Sequence, residues 1–296
     1  MARRRWLPTL LLLPGLVAPA FGGDETRCAQ IVALKDSSSG STWFAQSLNA
    51  IPGVSIKLEL LTSRDASASP TKQTGAVVNG LAPSCGSVKN RLTGFTLNPH
   101  HAAGVDWREV ARRRPRAVAV VWDRTNVVKK AASGILADLC GSHNVRTVSK
   151  ARKCRRTATT ADPVDFLKKV RGEACDAAAL RATAASLTAN ATVLTYEAFQ
   201  RSGSAELERL FGALGLDAAA VGRAKKSRKR TVKRSPEDLR SNFRNFDALS
   251  EALRAASPGD CDLEAMLLDT GARPFPCDGA ALCAHLRALE KGAPPA

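Results

Sequence analysis

Ala29-Gln30-Ile31-Val32-Ala33-Leu34 is an apolar run of strand length. Beyond Lys35-Asp36, Ser37-Ser38-Ser39-Gly40-Ser41-Thr42-Trp43 leads into a helical pattern, with Phe44, Leu48 and Ile51 at i, i+4 and i+7 and a stop at Pro52-Gly53. A strand, a loop of small residues and a helix start are the parts of an anion cradle. Small residues let the backbone wrap closely, successive N–H groups form a nest, and the helix N-terminus adds partial positive charge. The loop is not a Walker A sequence, because G-x-x-x-x-G-K-[ST] is absent and no lysine directly precedes Ser41-Thr42. A Ser-rich strand-to-helix turn with no ligand reads the same residues equally well.

The alternation continues downstream. Val54 to Leu60, Leu92 to Leu97, Ala117 to Trp122 and Val193 to Tyr196 read as strands. Helical patterns cover Val105 to Arg114, Asn126 to Leu139, Asp176 to Ala189, and Leu207, Leu210, Phe211 and Leu214 up to Gly215. Residues 62–87, rich in Ser, Thr, Ala, Gly and Pro, read as a surface insertion, and 143–161 as a basic loop. Strands alternating with such helices specify an α/β fold, a central parallel sheet flanked by helices in three layers. Past the basic block 225–230, Ser235-Pro236-Glu237-Asp238 has the form of an N-cap, a first-turn proline and two first-turn acids. Phe243, Phe246, Leu249 and Leu253 continue that helix, and Leu282, Leu286 and Leu289 mark a last one. The expected organisation is a leader over 1–22, an α/β domain over 23–223, and a helical C-terminal cap over 224–296 packed on the same domain.

Lys and Arg number 44 against 27 Asp and Glu, a net charge of +17 on 296 residues. A field of that size attracts phosphates, sulfates, acidic glycans, nucleic acid or anionic membrane and says nothing of fold. With 44% hydrophobic and 24% charged residues, wholesale disorder, collagen and coiled coil are excluded. Arg3-Arg4-Arg5, the apolar run Trp6 to Val17 and Ala18-Pro19-Ala20 follow the order of a secretory signal peptide. The run is too short for the roughly 20 residues of a spanning helix, so contact with a membrane is expected only if the leader is retained. Its removal takes away three positive charges and leaves +14.

All eight cysteines lie beyond the leader, which favours disulfides in an oxidising lumen, and Cys140/Cys154 and Cys261/Cys277 are the first pairs expected. Asn190-Ala191-Thr192, an N-glycosylation sequon, fits the same Golgi or secreted setting. No metal is expected, because there is no C-x-x-C pair and His100-His101 has no second ligand cluster. Asp260-Cys261-Asp262 superficially matches a metal-binding D-x-D, but it brackets a cysteine expected in a disulfide. Arg112-Arg113-Arg114 and the 225–230 block resemble nucleic-acid patches. Aromatic residues are only 5%, too few for stacking platforms, and a lumen-directed chain rarely meets nucleic acid, so none is expected as a partner.

Ser39-Gly40-Ser41-Thr42-Trp43, continued by F-A-Q-S-L-N-A-I-P-G-V, resembles the 5′-phosphosulfate loop of sulfotransferases dependent on 3′-phosphoadenosine 5′-phosphosulfate (PAPS), typically [RK]-S-G-[ST]-[ST]-[WF]-L…L-N…H-P. Ala117 to Asp123 followed by Arg124-Thr125-Asn126…Ser133 is similar to the family's 3′-phosphate element, and Leu194-Thr195-Tyr196-Glu197-Ala198-Phe199 with Leu214-Gly215-Leu216 resembles its R-Y-E-D-L…F-L-G-L segment. The resemblance spans about residues 29–250 and implies a P-loop-like fold. The implied activity is sulfuryl transfer from PAPS, an anionic nucleotide donor, to a hydroxyl of a glycan or small secreted metabolite.

The resemblance implies donor contacts from Ser38, Ser39, Gly40, Ser41, Thr42 and Trp43 at the 5′ end, and from Arg124 and Ser133 at the 3′-phosphate. Arg124 suits bidentate phosphate recognition. Transfer needs in-line positioning, charge stabilisation at the leaving oxygen and a base for the acceptor proton. Glu59 stands where luminal carbohydrate sulfotransferases often carry a glutamate after the second strand, and His100 and His101 are its rivals. The chain departs from the pattern at Ser38, where the family usually has Lys or Arg; Lys35 is the nearest cation. That departure keeps open a protein that binds an anionic nucleotide or glycan without turnover.

Overall fold

The fold comes from a computed structural model that describes residues 28–81, 91–141, 158–188, 191–224, 238–271 and 273–291. The leader, Cys85, Cys154, Asn190 of the sequon, the 225–230 block, the Ser235-Pro236-Glu237 signal and most of the 143–161 loop lie outside those residues.

Five parallel strands make one sheet: β1 (Ala29–Lys35), β2 (Val54–Lys57), β3 (Leu92–Leu97), β4 (Ala117–Asp123) and β5 (Thr192–Thr195), in spatial order β2-β3-β1-β4-β5. The three central strands are buried on both faces, which is why they read as continuous apolar runs. Gly94 of β3 lies so close to β1 that an added Cβ would stand 2.1 Å from the Ile31 carbonyl oxygen, so the pairing requires glycine there.

The helices are α1 (Ser41–Asn49), α2 (Pro70–Gly80), α3 (Trp107–Arg113), α4 (Val127–Leu139), α5 (Pro163–Leu187), α6 (Tyr196–Ala213), α7 (Ala219–Gly222), α8 (Phe246–Ala256), α9 (Leu263–Leu268) and α10 (Gly279–Glu290). Period-two alternation along the strands sorts them into two layers. Ile31, Ala33, Val120 and Trp122 face α1, α6 and α7, while Val32, Leu34, Ala119 and Val121 face α2, α3 and α5. A third apolar cluster joins α4 and α5 to α8, α9 and α10. Disulfides Cys261–Cys277 and Cys175–Cys283 tie this C-terminal part together, the second fixing α10 to α5. Among the described residues no helix is long and apolar enough to cross a membrane.

The expected α/β sheet is present, and Leu92–Leu97 matches the expected third strand. Several local expectations are corrected. The 62–87 insertion contains α2, which starts at the Ser69 cap and Pro70 and buries Val77 and Val78. The second strand stops at Lys57, because the backbone turns left-handed at Glu59. The helix expected from Asp176 begins at Pro163, capped by Asp162. Tyr196 opens α6 instead of ending a strand. The segment around Phe243 is not helical: Thr159 bridges to Phe243, and helix resumes only at Phe246. Cys261–Cys277 is the pair expected, whereas Cys175–Cys283 was not anticipated.

Candidate functional site

Parallel register brings the candidate residues to one edge. Leu34 stands beside Leu97, Lys35 beside Trp122, and Asp123 beside Thr195, so the residues that follow β1, β3, β4 and β5 leave the sheet in one row at its carboxyl end. Asp36, Asn98, Arg124 and Tyr196 are therefore neighbours by topology, although up to 160 positions separate them.

The loop after β1 is held from several sides. The Trp122 indole Nε1 donates to the Ser39 carbonyl at 2.9 Å, Ser39 Oγ donates to the Asp36 carbonyl at 2.6 Å, and Asn98 Nδ2 donates to Ser37 Oγ at 3.4 Å. Asp36 itself accepts from the buried Lys130 Nζ at 2.5 Å, and Glu173 Oε2 stands 3.1 Å from the same ammonium. Ser38 and Glu59 are the two non-glycine residues with positive φ among the described residues, at 56° and 46°. Each left-handed conformation costs about 1–2 kcal/mol, and such outliers concentrate at functional sites. Gly40, at φ 80°, could not be alanine without strain, since a Cβ would lie 2.8 Å from the Tyr196 ring. No side chain caps α1, and its first turn holds no acid, so its leading amides meet no carboxylate of their own helix. Trp43 packs edge-on against Phe199 (4.8 Å between centroids) and Tyr196 (5.8 Å), so its ring braces the helix start against α6.

On the other side of β1, Arg124 follows β4 and is 7% exposed. Its Nη1 donates to Ser133 Oγ at 3.3 Å, and its guanidinium lies 4.8 Å from the centre of the Tyr196 ring. Its Nε finds no hydrogen-bond acceptor among the described residues; Glu197 Oε1 is 4.0 Å away, beyond bonding distance. Glu197, also buried, is engaged instead by the Thr125 and Asn126 amides at 3.1 and 3.2 Å. Asn126 caps α4 by accepting from the Lys129 amide at 2.8 Å. Asp123 accepts from Arg181 Nη2 at 2.9 Å and from the Arg124 amide at 2.7 Å, which fixes the end of the strand. The orphaned Nε leaves this buried arginine with an unmet hydrogen bond. The guanidinium and the Ser133 hydroxyl beside it are donors chemically suited to an anionic acceptor.

Lys35 and Glu59, both proposed for catalysis from sequence, form an ion pair with each other. The lysine side chain is 6% exposed and the glutamate 47%, so the carboxylate is open to solvent while the ammonium is enclosed. The Glu59 amide is held by Thr96 Oγ1 at 2.9 Å. His100 Nε2 stands 2.9 Å from Asp176 Oδ1, and these two with Asp36 form a cluster whose ligand atoms lie within 4.8 Å of one another. Both Asp36 oxygens already serve the Lys130 ammonium and the Ser37 amide, so that cluster has little capacity for a cation. His101 turns away, its Nδ1 3.3 Å from the Leu61 carbonyl. Asp262 of the D-x-D caps α9, and Cys261 is in a disulfide. Two of the arginines at 112–114 have structural partners, Glu109 for Arg112 and the Val78 carbonyl for Arg114.

Sequence reasoning did not single out Asp36, Lys130 or Asp176, and it placed Tyr196 and Glu197 in a motif without roles. A double lysine inside an otherwise apolar helix pattern was the available signal for Lys130, since a charged residue on a buried face requires a partner.

No family model matches the chain, and no curated protein matches it. Among solved structures, it is similar to a sulfotransferase from Alicyclobacillus acidocaldarius, at 14% identity and a TM-score of 0.36 over 81% of this chain and 96% of that one. It is also similar to the sulfotransferase domain from the curacin biosynthetic pathway, at 11% identity and a TM-score of 0.38 over 90% of this chain and 99% of that one.

Proposed function

We propose that this chain is a sulfotransferase that moves a sulfuryl group from PAPS to a hydroxyl of a glycan or small secreted metabolite. The observation that carries the reading is the placement, at one end of the sheet, of an uncapped helix N-terminus and a buried arginine with an orphaned Nε. Tyr196 touches both: its ring bounds Gly40 and underlies Arg124. A nucleotide with anionic groups at its 5′ and 3′ positions matches two such centres on one edge.

In this reading the amides of residues 38–42 hold the 5′-phosphosulfate, while Arg124 and Ser133 hold the 3′-phosphate. The acceptor oxygen bonds to sulfur as the bond from sulfur to the phosphate oxygen breaks. The hydroxyl proton passes to the Glu59 carboxylate, and adenosine 3′,5′-bisphosphate leaves. Lys35, enclosed beside Glu59, supplies positive charge that the loop lacks at Ser38. Residues 23–223 form the catalytic unit, with 224–296 packed on it. The two disulfides support a luminal or secreted setting.

Adenosine 3′,5′-bisphosphate binding, measured calorimetrically, should be lost in Arg124→Ala and weakened in Ser41→Ala. Transfer of labelled sulfate from PAPS to a panel of glycans and alcohols should fall at least about 100-fold in Glu59→Gln. The absence of bisphosphate binding in the wild type sinks the proposal. A binding protein without turnover is the second reading, favoured by the Lys35–Glu59 pair, in which each group already satisfies the other. Binding without transfer to any acceptor selects it.

A further inference from the structure

The first turn of α4 carries a second cation beside Arg124. Lys129 and Ser133 are four residues apart and so lie on one face of α4, and Ser133 is the residue hydrogen-bonded to the Arg124 guanidinium. Lys129 is 4% exposed, and its Nζ reaches Asp269 Oδ2 at 3.3 Å. Burial lowers the proton affinity of this ammonium and outweighs Asp269, which raises it; Arg124 lowers it a little further and Glu197 raises it a little, and the net pKa is lowered.

Asp269 belongs to the C-terminal cap, in the loop that follows α9. The same stretch of chain holds the Arg124 turn from two further points. Asn126 Nδ2 donates to the Met266 carbonyl at 2.8 Å, and the Phe275 amide donates to Thr125 Oγ1 at 3.3 Å. Arg124 thus faces Glu197, and Lys129 faces Asp269 and, at longer range, Asp238. Glu197 is fixed by two backbone amides. Asp269, whose other oxygen takes only the Gly271 amide of its own turn at 3.1 Å among the described residues, is the carboxylate that can yield its cation.

We propose that Lys129 is a second cationic ligand of the 3′-phosphate, with Asp269 as the counter-ion that the phosphate displaces. This rests on the nucleotide reading above and deepens it. It makes Lys129 and Asp269 the residues that distinguish a nucleotide bearing a 3′-phosphomonoester from one without it. A dianion engages two cations where a 3′-hydroxyl engages neither, so the exchange at Lys129 occurs only for the phosphorylated nucleotide.

Calorimetric titration of the full chain with adenosine 3′,5′-bisphosphate and with 5′-AMP tests this in the wild type, Arg124→Ala, Lys129→Gln, Lys129→Arg and Asp269→Asn. Thermal melts establish that each variant is folded. Lys129→Gln should weaken the bisphosphate about 10- to 100-fold and leave 5′-AMP unchanged. Lys129→Arg should recover most of the loss, and Asp269→Asn should bind the bisphosphate as tightly as the wild type or tighter. Equal weakening of both nucleotides, or no effect of Lys129→Gln while Arg124→Ala abolishes bisphosphate binding, overturns the role of Lys129 and leaves the nucleotide reading standing. Weakened bisphosphate binding in Asp269→Asn overturns the displacement. No bisphosphate binding in the wild type overturns both.

Discussion

Lys130→Met isolates the ion cluster beneath the loop. The Lys130 side chain is 1% exposed and lies between two carboxylates that are each 6% exposed, Asp36 Oδ2 at 2.5 Å and Glu173 Oε2 at 3.1 Å. Methionine matches the length of the stem but leaves both carboxylates without their central cation. Lys169, 3.4 Å from Glu173 on an exposed stem, relieves only one of them. Deleting one partner of a buried ion pair costs about 3–5 kcal/mol, so the melting temperature should fall on the order of 10 °C at pH 7. Adding Asp36→Asn and Glu173→Gln should restore most of it, because the loss comes from orphaned charge more than from lost attraction.

The pH dependence follows from the direction of the shift. Burial presses the Lys130 pKa down, but Asp36 and Glu173 together outweigh it and the net pKa is raised. A raised native pKa contributes stability that is fully present below the unfolded lysine value of about 10.4 and is lost as pH rises through the native value. The gap between wild type and Lys130→Met should hold from pH 6 to about 10 and narrow above that. Circular-dichroism melts across this range are the assay. A Lys130→Met protein melting within about 2 °C of the wild type at pH 7 would refute the reasoning. So would a triple variant less stable than the single one.

Ser38→Gly removes the left-handed strain at φ 56° and should raise stability by about 0.5–1 kcal/mol in denaturant titration; a loss would show that the Ser38 side chain contributes more than its backbone costs. Replacing Cys261 and Cys277 by alanine opens a loop of sequence separation 16 and should cost about 3 kcal/mol. The same variant should weaken bisphosphate binding, since the loop carries Met266 and Phe275, and melts together with calorimetry would reveal either effect missing. The Glu264 carboxyl, held by Arg254 and then Ser250, has its pKa lowered to about 2. A lowered native pKa stabilises above the unfolded value and loses that contribution as pH falls toward 2. In Arg254→Gln an NMR titration should find it back near the ordinary carboxylate range, and an unchanged midpoint would remove Arg254 as the cause.

What was legible in the sequence was what neighbouring residues decide. Ala117 to Trp122 and Leu92 to Leu97 read as strands because both faces are largely buried. The helix start at Asn126 and the Gly215 stop were visible because each acts within one helical turn. Helix α2 escaped notice because its lead-in, residues 62–69, has the composition of a loop, and two of its four buried residues, Gln73 and Thr74, are polar. Gln73 is buried because its amide serves the carbonyls of Asp65, Ala66 and Ala68. At the candidate site, Arg124 and Ser133, named through the resemblance, come within hydrogen-bonding distance because one follows β4 and the other lies on the helix that comes next. The pairing of Lys130 with Asp36 spans 94 residues and that of Cys175 with Cys283 spans 108, and no local pattern encodes either. The Lys35–Glu59 pair joins two residues nominated separately, across a chain reversal that only the sheet order reveals.

The contacts of Met266, Asp269 and Phe275 with the Arg124 turn bear on how the protein is made. A ribosome delivers every strand of the sheet, and the whole loop after β1, before it delivers these three residues. Until they arrive, the sheet can close but Asn126, Lys129 and Thr125 lack the partners that set them. The Arg124 turn is therefore completed among the last events of synthesis, and a nascent chain cut before residue 266 would carry all the nominated nucleotide ligands without the segment that orders them.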